Sequence, residues 1–382
     1  MPDPSFDRPS SSLPLRVAMI GGGSGGHLFP AIAVAQHMLG QDPETRVLFL
    51  VSHRTIDTCV LASVGWPDER VKVQPYVSLK SGSGVTSSLS MIPSALRAIR
   101  AARLALTAFH ADVVVGVGAF ASVPGVIAAS RRKIPIALME QNSVPGRATR
   151  LLAKRAAVTI AGLPFEPRYA KSWPGQLKGI GTPVRRAIAD LAGQRAESNA
   201  AGRQLLILGG SQGASSVNRL VLDALADGNC LSSEWSIVHQ TGESEFESVA
   251  REYARAGQPA RVVPFLSDMP LELSRTSIAV SRAGAVTLQE LACAGVPSIL
   301  IPLSSAAHGH QMQNARCATA DGGAMIVDAT DKYAARQLKE MLRNLVSQPS
   351  VRERMSTAIR QSARPDAAAQ VTAVIRNLVK HP

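Results

Sequence analysis

The sequence predicts an α/β protein built from two doubly wound domains that lie side by side. Short apolar runs alternate with helix-length segments along the 382 residues, a pattern typical of βαβ units and parallel sheets. Each half of the chain also opens with an apolar run that enters a glycine-rich turn, RVAMIGGGSGGH over residues 16–27 and QLLILGGSQGAS over residues 204–215. The length itself exceeds that of an ordinary single domain.

The predicted strands are short runs rich in Val, Ile and Leu. In the first half they cover residues 16–20, 46–51, 112–117, 134–139 and 158–161; in the second half they cover 204–208, 236–239, 262–265, 277–280 and 298–303. Gly and Pro interrupt residues 177–186, LKGIGTPVRR, which we therefore assign to the link between the domains. A cleft at the carboxyl ends of both sheets is the expected binding site.

The domain boundaries follow from these breaks. We predict a disordered tail over residues 1–14, where Pro and Ser are frequent, and a first domain over residues 15–182. The second domain covers residues 183–362, and residues 363–382 form a C-terminal helix that we expect to pack back on the first domain.

The charge is unevenly distributed. The net charge is +13, and residues 1–182 hold 20 basic and 10 acidic residues, whereas residues 183–382 hold 21 and 18. The first half is therefore expected to face an anionic partner: nucleic acid, a membrane surface or a pyrophosphate substrate. A generally basic proteome would explain the same excess. The four Tyr and three Trp are dispersed and offer no stacking platform, so nucleic acid ranks last.

The compartment is predicted from what the sequence lacks. The four cysteines are scattered and show no metal-ligand spacing or disulfide framework. No apolar run reaches the length of a membrane span, and the N-terminus has no signal-peptide pattern. These features predict a cytoplasmic location.

The first glycine-rich turn contains G-x-G-x-x-G, a weak signal on its own. A dinucleotide-binding fold needs an acidic residue at the end of the second strand, where this chain has Ser52 and His53. A P-loop needs Lys and Ser or Thr after the last glycine, where this chain has His27 and Leu28. Both interpretations lose support, although a helix that starts here still offers free N–H groups to an anion.

Three side chains in these motifs suit catalysis or sugar binding. His27 lies in the first turn of the predicted helix, where the dipole favours a neutral imidazole that could act as a general base; simple helix capping is about as common. In the second half, Glu290 follows a turn and helix start near Ala285 and could accept two ribose hydroxyls, or merely complement the helix dipole. The amide of Gln311 is suited to sugar hydroxyls, but alone it is inconclusive.

Taken in order, these motifs resemble the MurG family of glycosyltransferases over nearly the whole chain, from Arg16 to beyond Val327. In the first half the resemblance rests on GGGSGGHLFPAIAVA (21–35), GVGAFASVPGVIAA (116–129), MEQNSVPGRATRLLAKRA (139–156) and GTPVR (181–185). In the second half it rests on LGGSQGASSVN (208–218), SRAGAVTLQELACAGVPSILIPL (281–303) and HQMQNA (310–315). The resemblance implies the GT-B fold, with the acceptor in the first domain and the nucleotide sugar in the second.

The resemblance also implies an activity and its residues. The activity is transfer of N-acetylglucosamine from UDP-N-acetylglucosamine to the 4-hydroxyl of an undecaprenyl-pyrophosphoryl-linked muramoyl-pentapeptide, at the cytoplasmic face of the inner membrane. The implied donor contacts are Ser24, Gly25 and Gly26 beside the sugar and diphosphate, Asn142 at the sugar, Arg185 and Ser211 at the diphosphate, Leu266 at uracil, Ala285 and Val286 at phosphate, Glu290 at the ribose and Gln311 at the sugar hydroxyls.

For the reaction we expect an inverting single displacement in which His27, or alternatively Glu140, removes the acceptor proton. No Asp-x-Asp pair is placed to hold Mg²⁺, so metal-independent transfer without a cofactor is predicted. The basic helix-like segment over residues 91–110 is expected either to rest on an anionic leaflet or simply to pack on its sheet.

The sequence departs from the family pattern at several positions. Ser24 replaces the usual Thr, Phe120 replaces a Tyr on the expected acceptor side, Thr182 replaces an Asn, and His310 replaces a Gln that often precedes Gln311. These changes leave the donor assignment intact and concern the acceptor most. A glycosyltransferase with another acceptor and a UDP-N-acetylglucosamine 2-epimerase are the alternatives; the second would need no acceptor.

Overall fold

The computed structural model describes residues 14–23, 25–67, 69–76, 88–194, 203–209, 214–226, 230–303 and 309–380. Within these residues the chain forms two parallel sheets, each with helices on both faces. The prediction of an α/β protein with two doubly wound domains is therefore confirmed. All of the predicted N-terminal tail except Pro14 lies outside the described residues.

The first sheet has seven strands in the order β3-β2-β1-β4-β5-β6-β7. Its strands are β1 (Arg16–Ile20), β2 (Arg46–Val51), β3 (Val71–Pro75), β4 (Val113–Gly116), β5 (Ile136–Glu140), β6 (Val158–Ala161) and β7 (Gln176–Gly179). Every neighbouring pair is parallel. The strand order reverses between β1 and β4, which is where an open parallel sheet forms its binding crevice.

The second sheet has six parallel strands in the order β10-β9-β8-β11-β12-β13. They are β8 (Gln204–Leu208), β9 (Ser236–Gln240), β10 (Arg261–Val263), β11 (Ile278–Ser281), β12 (Ser298–Leu300) and β13 (Ala324–Ile326). The order reverses between β8 and β11, so the two sheets repeat one topology and each has a crevice at its carboxyl edge.

The helices alternate with the strands. Those that precede the second sheet are α1 (Gly25–Gln41), α2 (Thr55–Ala62), α3 (Ser88–Phe109), α4 (Val123–Arg131), α5 (Arg147–Leu152), α6 (Pro167–Ala170), α7 (Arg186–Ala189) and α8 (Leu191–Gln194). The others are α9 (Ser215–Leu225), α10 (Phe246–Arg255), α11 (Met269–Arg275), α12 (Ala285–Ala294), α13 (His310–Thr319), α14 (Ala334–Ser347), α15 (Pro349–Gln361) and α16 (Ala367–Lys380). Within the described residues, every helix is too short or too polar to span a bilayer.

The sequence patterns missed three strands, all at or next to the outside of a sheet. β3 and β7 are edge strands whose side chains are mostly exposed, so they lack the apolar run that marks a buried strand. β13 has only three residues. β7 also covers the beginning of the segment assigned to the domain link, so the link proper starts after Gly179.

The last helix returns to the first domain. Ala367, Val371 and Ile375 recur every four residues along α16, are fully buried, and belong to the same apolar cluster as α1 and β1. The Nδ1 atom of His37 in α1 lies 3.2 Å from the hydroxyl of Thr372. Because α14 and α15 pack with the second sheet, the chain crosses between the domains a second time.

Candidate active site

The glycine turn after β1 is held open by positive φ angles. Gly21, Gly22 and Gly23 have φ values of 148°, 139° and 91°, a region that residues with a side chain rarely enter. The backbone N–H of Gly23 donates to the carboxylate of Asp57, with both oxygens 2.8 Å away. α1 then begins at Gly25, so Gly26 and His27 lie in its first turn, whose N–H groups have no partner within the helix.

His27 lies against the turn that follows β4. A Cβ atom on Gly118 would come within 2.6 Å of the imidazole Nδ1, so only glycine leaves room for the ring. Burial lowers the pKa of His27 below 6.5, while the carboxylate of Glu140, a hydrogen bond with the Val117 backbone and the carboxylate of Asp57 oppose this shift. The imidazole is therefore neutral near pH 7, and burial is the largest cause.

Glu140, at the end of β5, has both carboxylate oxygens occupied. Oε1 accepts hydrogen bonds from the backbone N–H and the side-chain amide of Asn142, each at 3.1 Å. Oε2 accepts from the N–H of Gly146 at 2.9 Å and from the hydroxyl of Thr149 at 2.6 Å. The side chain is only 4% exposed. Glu140 thus ties the segment after β5 to the start of α5.

Asn314 joins the two domains, a role that the sequence did not indicate. Its Oδ1 accepts from the N–H of Ser143 at 3.0 Å, and its Nδ2 donates to Asn142 Oδ1 at 3.0 Å and to the carbonyl of Ala283 at 3.2 Å. His310, also in α13, lies with its Nδ1 2.7 Å from the carbonyl of Val144. The segment after β5 is thereby fixed against the second domain.

The start of α12 presents backbone N–H groups that have no partner within the helix. Gly284 precedes the helix and supplies no side-chain cap, and Ala285 and Val286 are buried in the first turn. The N–H groups of a first helical turn have no carbonyl partner within the helix and form the positive end of its dipole. This terminus therefore suits an anionic ligand group.

Glu290 and Arg185 form a partly buried ion pair. Arg185 Nη2 lies 3.2 Å from Glu290 Oε1, and the Arg185 guanidinium also lies over the ring of Phe29 in α1, 5.1 Å from its centre. Burial raises the pKa of Glu290 above its usual value, and the charge and hydrogen bond of Arg185 oppose the shift. The pair joins the domain link, α12 and α1 at one point.

Gln311 and Leu266 are each oriented by a second residue. Gln311 Oε1 accepts from the N–H of Leu303 at 3.1 Å and from Arg282 Nε at 3.5 Å. Within the described residues no hydrogen bond engages its Nε2, which can therefore donate to a ligand. The N–H of Leu266 donates to Gln240 Oε1 at 3.3 Å. Gln240, at the end of β9, is another residue that sequence patterns did not identify.

The structure brings most of the predicted residues to the carboxyl edges of the two sheets. His27 and Glu140 are close enough for their charges to interact, Asn142 contacts α13, and Arg185 contacts Glu290. Ser24 and Ser211 lie outside the described residues. Within the described part of the chain, no cluster of three or more His, Cys, Asp and Glu side chains could hold a metal ion.

The positions that depart from the family pattern lie in the same region. Phe120 is 41% exposed and follows Ala119, whose φ of 57° is unusual for a residue with a side chain. Thr182 is fully buried, and its hydroxyl oxygen lies against the backbone of Gly162 without a hydrogen-bond partner among the described residues. Sequence patterns also missed Asp57. Its importance depends on a contact with Gly23, which lies 34 residues earlier in the chain, and no local pattern indicates such a contact.

Two doubly wound parallel-sheet domains, with helix starts that suit anionic ligand groups, form the architecture of the GT-B glycosyltransferases. The N-terminal domain model of glycosyltransferase family 28 matches residues 17–160, and the C-terminal domain model of that family matches residues 204–371. The chain is 38% identical to a UDP-N-acetylglucosamine–N-acetylmuramyl-(pentapeptide) pyrophosphoryl-undecaprenol N-acetylglucosamine transferase from Desulfotalea psychrophila, over 95% of this chain and 97% of the relative.

A transferase of the same name from Syntrophotalea carbinolica is 36% identical over 95% of this chain and 99% of its own length. The crystal structure of Acinetobacter baumannii MurG superimposes with a TM-score of 0.73 at 27% identity, covering 95% of this chain and all of that one. A UDP-GlcNAc 2-epimerase from Neisseria meningitidis, at 14% identity and a TM-score of 0.65, shares the fold. The chain belongs to the MurG family.

Proposed function

We propose that this protein transfers N-acetylglucosamine from UDP-N-acetylglucosamine to the 4-hydroxyl of N-acetylmuramic acid in undecaprenyl-pyrophosphoryl-muramoyl-pentapeptide, a step of peptidoglycan synthesis. The observation that carries the proposal is the meeting of two helices that bear the predicted residues. A neutral His27 lies in the first turn of α1, and Arg185 lies over Phe29 of the same helix while it pairs with Glu290 of α12. The names of the relatives supply the donor and the acceptor.

The second domain holds the donor in this proposal. The N–H groups of Ala285 and Val286 bind phosphate oxygens at the positive end of α12, and Arg185 supplies a cation to the diphosphate. Glu290 accepts the ribose hydroxyls, which requires Arg185 to share or leave the Glu290 carboxylate when the donor binds. Ser211 is assigned to the diphosphate by the resemblance alone.

The base and the sugar have contacts in both domains. Leu266 binds uracil through its carbonyl, because Gln240 already occupies its N–H. Gln311 donates its Nε2 to the sugar hydroxyls, and Asn142 approaches the same sugar from the first domain. Gly25 and Gly26, at the start of α1, lie beside the sugar and the diphosphate, where the absence of side chains lets the backbone come close. Ser24 is assigned to the same ligand groups by the resemblance alone.

The first domain supplies the base. The imidazole of His27 removes the proton from the acceptor 4-hydroxyl as that oxygen attacks the anomeric carbon, with inversion of configuration. The bond to UDP breaks, and Arg185 with the α12 start stabilises the negative charge on the leaving diphosphate. Of the two predicted bases His27 is the better supported, because four hydrogen bonds already engage the Glu140 carboxylate.

For the location we propose peripheral attachment to the anionic cytoplasmic face of the inner membrane through α3. Its inner face, with Ala98, Ala102 and Leu106, is buried on the sheet. Its outer face exposes Leu96 and Leu104, 56% and 62% accessible, next to the exposed arginines Arg97, Arg100 and Arg103. Apolar side chains between cations suit insertion at an anionic lipid surface.

Vesicle sedimentation tests the membrane contact. The Leu96→Glu, Leu104→Glu double variant should lose binding to phosphatidylglycerol vesicles, and wild-type protein should bind neutral phosphatidylcholine vesicles weakly. Arg219→Glu provides a control on the exposed face of α9 in the second domain. Retention of binding by the double variant would rule out α3 as the contact.

Release of UDP from UDP-N-acetylglucosamine tests the reaction, with and without a lipid-linked muramoyl-pentapeptide analogue and in the presence of EDTA. The proposal predicts acceptor-dependent release that is abolished by Glu290→Ala and strongly reduced by His27→Ala. Release without acceptor would indicate an epimerase or a hydrolase. Tight UDP binding without release would retain the donor site and reject the acceptor.

A further inference from the structure

Asp57 is a fully buried carboxylate that none of the roles above uses. It is the third residue of α2 and is 0% exposed. Its two oxygens lie 2.8 Å from the N–H of Gly23, and the hydroxyl of Ser52 donates to Oδ2 at 2.5 Å. A buried charge costs several kcal/mol unless hydrogen bonds compensate it, so an ionised carboxylate at this position calls for an explanation.

The carboxylate contacts the glycine turn directly. A Cβ atom on Gly22 would lie 2.5 Å from Asp57 Oδ2, so the backbone packs against the carboxylate with no space between them. Arg54, which precedes α2, donates from Nη1 to the carbonyl of Gly23 at 3.1 Å. The start of α2 therefore holds both the N–H and the C=O of Gly23, just before the chain enters α1 and reaches His27.

We infer that Asp57 is a positioning residue for the transfer reaction: it fixes the glycine turn that leads to His27, and its negative charge stabilises the imidazolium that forms when His27 accepts the proton. This inference rests on the proposed function. A carboxylate that orients a catalytic histidine and stabilises its cation is a general device of base catalysis. Asp57 differs in that it reaches the histidine through the backbone of the preceding turn.

Electrostatics support this role. Among the described residues, the charged groups that act on His27 are the carboxylates of Glu140, at the end of β5, and of Asp57, at the start of α2; both raise the pKa of His27 against the effect of burial. Arg54 faces the carbonyl of Gly23. The Glu140 carboxylate holds the segment after β5, whereas the Asp57 carboxylate contacts the glycine turn that leads into the helix of His27. Asp57 is therefore the carboxylate that can position His27.

Asp57→Asn separates charge from shape. The Asn Oδ1 can still accept from the N–H of Gly23, and its Nδ2 can donate to the hydroxyl of Ser52, so the turn keeps its support while the charge is lost. In the acceptor-dependent assay we expect kcat to fall at least about tenfold, because general base catalysis weakens, and the KM for UDP-N-acetylglucosamine to change less than about twofold. The acidic limb of the kcat–pH profile should move to lower pH, because one of the effects that raise the His27 pKa is gone.

The matched control is Asp223→Asn, the same change at an exposed carboxylate on α9. It should leave kcat and the pH profile unchanged. A folded Asp57→Asn enzyme with wild-type kcat and an unmoved acidic limb would overturn the inference, as would a fall in thermal stability alone. If Asp57→Asn does not fold, Ser52→Ala keeps the charge and removes one hydrogen bond. It should then lower kcat at least about threefold without moving the limb to lower pH, and an unchanged kcat would overturn the inference.

The two proposals fail in different ways. Absence of acceptor-dependent UDP release in the wild-type protein would reject the proposed function and not the positioning of the turn. Full activity in both the wild-type and the Asp57→Asn enzymes would reject the role of Asp57 and retain the function.

Discussion

Replacing Asn314 by Ala removes the polar side chain that joins the domains and leaves three groups without their partner. Two of them are buried: Ser143, 1% exposed, loses the acceptor of its N–H, and Ala283, 0% exposed, loses the donor to its carbonyl. The third, Asn142 Oδ1, is half-buried and can bind water instead. A buried polar group without a partner costs about 1–3 kcal/mol, so the two together should cost about 2–6 kcal/mol.

Thermal unfolding provides the measurement. With an unfolding entropy of about 2.1 cal/mol/K per residue, a chain of this size loses about 2.5–7.5 °C in Tm for that change in free energy. The control is Asn344→Ala in α14, where the amide contacts only the exposed Gln348 side chain among the described hydrogen bonds; its Tm should fall by less than about 1 °C. The KM for the donor should also rise for Asn314→Ala, because α13 carries both Asn314 and Gln311.

The refuting result is specific. If the Tm of Asn314→Ala lies within about 1 °C of the wild-type value and the KM for the donor is unchanged, then the hydrogen bonds of Asn314 do not hold the domains in place. A fall in Tm with an unchanged KM would limit Asn314 to stability and separate it from donor binding.

The remaining predictions concern the site and one strained turn. Because burial lowers the pKa of His27, kcat of the wild-type enzyme should stay on its plateau down to below pH 6.5 and then fall as the imidazole is protonated; an acidic limb centred above pH 7 would exclude His27 as the base. Glu290→Gln should weaken UDP binding about 10- to 100-fold by calorimetry, through loss of a charge-assisted hydrogen bond. In the wild type, UDP binding should weaken as pH falls through the raised pKa of Glu290, a dependence that the Gln variant should lack. Ala119→Gly should raise the stability by about 1 kcal/mol, because a φ of 57° with a ψ of 166° strains Ala and suits Gly; an unchanged or lower Tm would refute strain at this position.

The local patterns of the sequence determined the fold class and most buried strands. A strand such as β1 or β8 is apolar over its whole length because both faces of a parallel sheet are covered, and this is visible in five consecutive residues. The glycine-rich segments and the helix starts that follow them were also visible in the sequence, because a tight turn restricts the residue types at neighbouring positions. The edge strands β3 and β7 left no such signal, because their side chains are largely exposed.

The tertiary structure alone decided how distant polar groups pair. The sequence analysis assigned Arg185 and Glu290 to separate parts of the donor. In the fold Arg185 Nη2 lies 3.2 Å from Glu290 Oε1, although the two residues are 105 positions apart in the chain. It likewise offered Glu140 as a possible base, whereas the fold surrounds both of its oxygens with donors. Asp57 and Asn314 acquire their roles only from partners 34 and about 172 residues away. A hydrogen bond depends on the distance and angle between two groups, and for residues far apart in the chain the packing of sheets and helices sets both.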